Sequence, residues 1–138
     1  MLAQQSGVVS RRQALAAGLT DNDLRRMLRR GELVPVHPGV YINHNGALQW
    51  EQRAWAGVLA SWPAALCHES ALRTAARAGR TSRGLVPDET LHIAVDRDRS
   101  VRAPAGVTLH RIAHFENKAL LNTSPPRLRI EEALVDVA

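Results

Sequence analysis

Lysine is almost missing from this chain: of its 18 basic residues only Lys118 is a lysine, and the rest are arginines. A guanidinium is a planar fork that matches phosphate oxygens and guanine edges, where an ammonium is a point charge. A coding bias toward arginine gives the same count. Cysteine occurs once, as Cys67, which excludes an internal disulfide and makes a reducing cytoplasm the expected compartment. Aromatic residues make up 4% of the chain, so the core has to be built from Leu, Val, Ile and Ala. No apolar run approaches the roughly 18 residues that cross a bilayer, and no membrane partner is expected. Residues 1–7 have neither the basic start nor the apolar stretch of a secretory signal. What is present is ordinary for a folded protein: 138 residues, 45% hydrophobic and 22% charged. That length suits one domain, or a small module joined to a second small layer.

The net charge of +5 is uneven. Residues 1–42 hold six arginines (Arg11, Arg12, Arg25, Arg26, Arg29, Arg30) against Asp21, Asp23 and Glu32, a surplus of three. The remaining 96 residues hold twelve basic groups against ten acidic ones, a surplus of two. The first third is therefore the expected polyanion-binding part.

Punctuation is clearest over residues 10–42. Ser10 with Gln13 reads as a capping box opening a short helix through Ala17, which Gly18 ends. Thr20 with Asp23 repeats the signal and predicts a second helix over residues 21–30, closed by Gly31. Two short helices across a glycine-containing turn match a helix-turn-helix. On the second helix Leu24, Met27 and Leu28 form one stripe, and Asn22, Arg25, Arg26 and Arg29 fall opposite. The runs around Pro38-Gly39 predict a hairpin with a type II turn, and Pro35, lacking an N–H, places its strand at an edge. Helix, turn, helix and hairpin in that order is the plan of a winged helix.

Beyond a turn-rich joint, a third helix is predicted over residues 48–62, with Trp55, Val58, Leu59 and Trp62 on its inner stripe. Pro63 stops it. Residues 64–67 are a short apolar run, residues 68–78 a fourth helix closed by Gly79, and residues 80–88 a surface loop. Two strands, 90–95 and 107–112, each alternate as if burying one face. Ser124-Pro125-Pro126 is expected to open a last helix with a stripe of Ile130, Ala133, Leu134 and Val137 that runs off the end of the chain.

The paired arginines carry the sharpest chemistry. Arg25/Arg29 and Arg26/Arg30 are like-charge pairs four residues apart, which slightly destabilise an isolated helix. A phosphate backbone or a groove relieves that repulsion, whereas four arginines by themselves also fit a solvated face. The first turns of the second helix of a helix-turn-helix enter the major groove, which makes Asn22 and Arg26 the candidates for base contact. Arg25, Arg29, Arg30, Arg11 and Arg12 are expected to reach phosphates, and Thr20 completes the expected DNA-binding set. His37, at the hairpin tip, is either a wing contact to phosphate or a plain turn residue.

Catalytic and metal patterns are weak. The six histidines lack HExxH spacing, the single cysteine excludes a CxxC pair, and adjacent Cys67 and His68 are poor geometry for joint chelation, so no metal is expected. His92 and His110 read as an exposed cross-strand pair. His68-Glu69-Ser70 points in three directions on a helix and cannot form a triad. Asp96-Arg97-Asp98-Arg99 reads as self-neutralising. No catalysis and no cofactor are expected.

Gly7-Val8-Val9-Ser10-Arg11-Arg12-Gln13-Ala14-Leu15-Ala16-Ala17-Gly18-Leu19 resembles the opening of the AbiEi-type antitoxin winged-helix domain. The likeness continues through Leu28-Arg29-Arg30-Gly31-Glu32-Leu33, Val36-His37-Pro38-Gly39-Val40-Tyr41 and Trp50-Glu51-Gln52-Arg53-Ala54. Later pieces also look alike: Leu66-Cys67-His68-Glu69-Ser70-Ala71, Leu91-His92-Ile93-Ala94-Val95, Thr123-Ser124-Pro125 and the terminal Glu132-Ala133-Leu134-Val135-Asp136-Val137-Ala138, so that the resemblance covers nearly the whole chain. The resemblance implies an antitoxin of an abortive-infection (type IV) toxin–antitoxin system that binds inverted repeats in its own promoter and represses the operon. It also implies a paired nucleotidyltransferase toxin, acting without a stable complex. Many relatives continue into a nuclease-like domain resembling the very-short-patch-repair endonuclease, and this chain stops where that domain would begin.

The expectation is thus an α+β protein: an N-terminal winged helix-turn-helix over residues 1–45, packed on a small helix-and-strand domain over residues 46–138. Its expected function is sequence-specific double-stranded DNA binding as an autorepressor, with palindromic sites implying two copies on DNA. One competing reading is the DNA-targeting module of a truncated or split nuclease. Another is a protein–protein module whose contact patch is Trp50, Trp55 and Trp62.

Overall fold

The computed structural model describes residues 5–43, 46–79, 90–121, 123, 125–129 and 132, with side chains of the fourth helix described as far as Arg73. The architecture is α+β, with two sheets sharing one helix. The first sheet is built from β1 (Val8–Ser10), β2 (Val34–His37) and β3 (Val40–Ile42) in the order β1-β3-β2, all antiparallel. Between β1 and β2 lie α1 (Arg11–Ala16) and α2 (Asp21–Arg29).

Local chemistry sets these boundaries. Gln13 N–H donates to Ser10 Oγ at 3.1 Å while Ser10 N–H donates to Gln13 Oε1 at 3.1 Å, which satisfies donors the first helical turn leaves open. Thr20 and Asp23 repeat the device for α2. Gly18 and Gly39 have φ of +107° and +77°, a region cheap only for glycine. The Pro35 strand is at an edge, as its missing donor requires. Val9, Ala14, Leu24 and Leu33, with Leu15, Met27, Leu28 and Tyr41 beside them, form the small core under the two helices.

α3 (Trp50–Ala60) comes next, and it is apolar on two flanks because it faces two sheets. Trp55, Ala56 and Leu59 pack against Val8, Val40 and Ile42 of the first sheet. Trp50, Ala54 and Val58 pack against Leu66, Leu91, Ile93 and Val95 of the second. A Cβ on Gly57 would lie 2.7 Å from Ile93 Cδ1 and 3.3 Å from Val107 Cγ2, so hydrogen at this position lets the helix sit on the sheet. Trp62 falls just past the helix, half-buried between both clusters. With Trp50 and Trp55 buried, the three tryptophans offer little as an exposed contact patch.

The second sheet contains β4 (Ala65–Leu66), β5 (Leu91–Asp96), β6 (Val107–Ile112), β7 (Ala119–Leu120) and β8 (Arg127–Leu128), ordered β6-β5-β4-β8-β7. α4 (His68–Gly79) follows β4, and the short α5 (Phe115–Lys118) precedes β7. β5 and β6 run parallel, with His92 opposite Thr108 and Ala94 opposite His110. Arg99, in their connection, donates to the carbonyls of Ser61 (2.6 Å), Trp62 (3.1 Å) and Pro63 (2.8 Å), tying the exit of α3 to this sheet.

Two expectations change. β5 does not bury one face only: Ala94, on the face opposite Ile93, is buried with Ala65, Cys67, Phe115 and Leu128. An interior strand with α5 on its far side has both faces covered. Pro125-Pro126 do not open a helix but lead into β8, where Leu66 N–H donates to Pro126 O at 2.9 Å. Proline's fixed φ suits an extended chain as well as a first helical turn. The expected loop at 80–88 and the stripe of Ile130, Ala133, Leu134 and Val137 lie outside the described residues.

Candidate nucleic-acid interface

α2 is nine residues long and buries Leu24, with Met27 and Leu28 half-buried at its flank. The opposite side presents Asn22, Arg25, Arg26, Arg29 and, just past the helix, Arg30, all exposed. The arginines lie toward the C-terminal end, where the helix dipole favours positive charge and offsets their mutual repulsion. The first turn carries Asp21 and Asp23, charges that would repel phosphate if left alone.

Both acids are neutralised. Arg11 at the start of α1 reaches Asp21 Oδ1 at 2.6 Å, which also staples the two helix starts together. Arg26 reaches Asp23 Oδ1 at 3.0 Å. The Asp23 carboxyl is held below its ordinary value, mainly by the Thr20 N–H and hydroxyl, with a lesser contribution from Arg26. The unit therefore consists of capped α1, a glycine turn, capped α2 and a Pro-Gly hairpin on a three-stranded sheet.

Residues 1–44 match the model of the family described as transcriptional regulator, AbiEi antitoxin. The match covers β1 through β3 and stops before α3. None of the curated proteins compared with the chain matches it.

Within the AbiEi-matching segment the expected DNA-contacting residues divide by what already engages them. Arg25, Arg29 and Arg30 have no ion pair or side-chain hydrogen bond among the described residues. Asn22 is exposed beside them. Arg11 and Arg26 are ion-paired, with exposed partners that compete weakly with a polyanion. Arg12 places its guanidinium 5.5 Å from the centroid of the Trp62 ring, a cation–π contact joining α1 to the segment after α3. Thr20 spends its backbone N–H and a hydroxyl lone pair on the cap. His37 ends β2 rather than standing at the tip. It is half-buried in a cavity of about 240 Å³ lined by Leu48, Arg53, Leu91 and Gly106, and burial pushes its pKa down. Pro38 is the exposed residue of the turn.

Neighbourhoods invisible in the sequence also emerge. The Arg11–Asp21 pair spans ten positions. Cys67 and His68, expected to chelate poorly, come together with His110, and their ligand atoms lie within 4.8 Å of one another. His92 and His110 do meet, half-buried, with Nδ1 and Nε2 3.1 Å apart. Ser70, buried in α4, accepts the His92 N–H at 2.9 Å.

Proposed function

We propose that this protein binds double-stranded DNA sequence-specifically and represses its own operon as an antitoxin-type regulator. One observation carries the reading: an arginine-bearing face on a helix whose opposite face is fixed in a core, with Arg25, Arg29 and Arg30 held by nothing else among the described residues. The match of residues 1–44 to a family of transcriptional regulators supports it. In this reading the unit acts as a winged helix-turn-helix, with α2 in the major groove and the β2–β3 hairpin as the wing.

Arg25, Arg29 and Arg30 neutralise phosphates, which gives affinity and positions the helix. Asn22 and Arg26 read bases, since Asn pairs two-pronged with adenine and Arg with guanine. Arg26 first leaves Asp23, at the modest cost of an exposed ion pair, on the order of 0.2–1 kcal/mol. Arg11 and Arg12 steer the duplex and hold the helix pair in place. Inverted repeats in the promoter seat two copies, and a nucleotidyltransferase toxin encoded alongside is controlled through transcription, not through a lasting complex. The proposal contains no catalytic step. Its support is that Ser70 is buried and bonded to backbone while Glu69 points to solvent.

A gel-shift titration on the upstream promoter tests this. The expected result is a shift at least about 1,000-fold tighter than on an unrelated duplex, weakening steeply with salt. Equal affinity for both duplexes would refute sequence-specific repression.

A further inference from the structure

The face of the second sheet turned away from α3 carries a cluster that DNA binding does not use. Cys67 leaves β4, His68 begins α4, His92 projects from β5 and His110 from β6. Parallel pairing of β5 with β6 puts His92 and His110 on one face, and the His68 ring covers both. Its centroid lies 4.0 Å from that of His110 and 5.4 Å from that of His92, stacked in each case. Cys67 is fully buried beneath, among Ala65, Ala94, Phe115 and Leu128, while the three imidazoles are half-buried at the rim. His68 holds a left-handed backbone, φ +53°, which is uncommon for a side-chain-bearing residue. Such conformations persist where the surroundings require them. Here that conformation coincides with the ring lying over its two partners.

The geometry points to a binding site for a thiolate-accepting divalent transition ion, Zn²⁺ in the first place, held by Cys67, His68 and His110. One sulfur and two imidazole nitrogens form a borderline-soft donor set that suits zinc and its neighbours, whereas Mg²⁺ and Ca²⁺ demand oxygen. The three donor atoms lie within 4.8 Å of one another. A tetrahedral zinc with Zn–S of about 2.3 Å and Zn–N of about 2.0–2.1 Å needs donors roughly 3.5 Å apart. The stacked His68 and His110 rings hold their in-plane lone pairs side by side, so binding requires one ring to turn until its nitrogen converges with the other two donors.

His92 flanks the site through its 3.1 Å contact with His110. With His110 Nε2–H donating to His92 Nδ1, the ion would take His110 Nδ1. His92 is then the outer partner that orients a ligating ring. The ion would join β4, β5, β6 and the start of α4 at one point.

The test uses the full chain, stripped with chelator and titrated with Co²⁺ and then Zn²⁺. The expected result is one ion per chain at micromolar dissociation constant or tighter, with a thiolate-to-cobalt charge-transfer band that Zn²⁺ bleaches. At zinc about 100-fold above Kd the unfolding midpoint should rise by roughly 5–10 °C. Cys67→Ser should abolish the band, and His110→Ala should weaken binding at least tenfold. If Cys67→Ser fails to fold, the wild-type band alone decides. Absence of that band, fewer than half an ion per chain, or unchanged affinity in both variants would each overturn the site. None of these readouts involves DNA, so they stand apart from the gel shift.

Discussion

Replacing Arg25, Arg29 and Arg30 together with alanine separates a DNA-binding face from a merely solvated one. Each phosphate neutralised by a cation contributes about 0.9 to the slope of log K against log salt, so losing three contacts should make that slope shallower by about 2.7. Between 50 and 200 mM salt, this narrows the affinity gap between wild type and variant by about 40-fold. Folding should not suffer, because these side chains are exposed, engage nothing among the described residues and give way to the best helix former. Removing the Arg25/Arg29 like-charge pair even favours the helix slightly. The assay is a fluorescence-anisotropy titration on the promoter duplex at four salt concentrations, with the unfolding midpoint of each protein measured alongside. An unchanged slope in a variant with an unchanged midpoint would show that the face meets no phosphate, and the reasoning would fail.

Arg26→Ala should weaken promoter binding by roughly 1–3 kcal/mol and relax preference at one base position, read by competition among single-base variants of the site. Gly57→Ala should lower stability by about 1 kcal/mol in chemical denaturation, since crowding against Ile93 and Val107 outweighs the gain in helix propensity. His37, half-buried and with its pKa below the ordinary 6.5, favours the neutral ring in the folded chain. The unfolded chain takes up the proton first, so this contribution is complete above about pH 6.5 and fades as pH falls below it. A His37→Gln variant should flatten the fall in midpoint between about pH 8 and pH 5.

The helix pair was readable because its signals are local. Ser10 with Gln13 and Thr20 with Asp23 act within one turn, and Pro38-Gly39 sets its own bend. β1 was not readable: Val8-Val9-Ser10 is too short to announce a strand and exists through its pairing with β3, thirty or more positions on. Alternation in β5 and β6 reveals which side chains share a face but not that the strands run parallel. That direction, with the left-handed His68, assembles a cluster whose members are scattered over more than forty positions. For the interface, sequence located the arginines. It did not reveal that Asp21 and Asp23 occupy two of them or that His37 turns inward.

The double-sided α3 limits how the molecule can be cut. A fragment ending near residue 45 would strip Val8, Val40 and Ile42 of their cover, and a fragment starting there would bare Trp55 and Leu59. A chimera that grafts the arginine-bearing unit onto another scaffold should therefore carry α3 along, or supply a substitute apolar rod, to keep that unit folded.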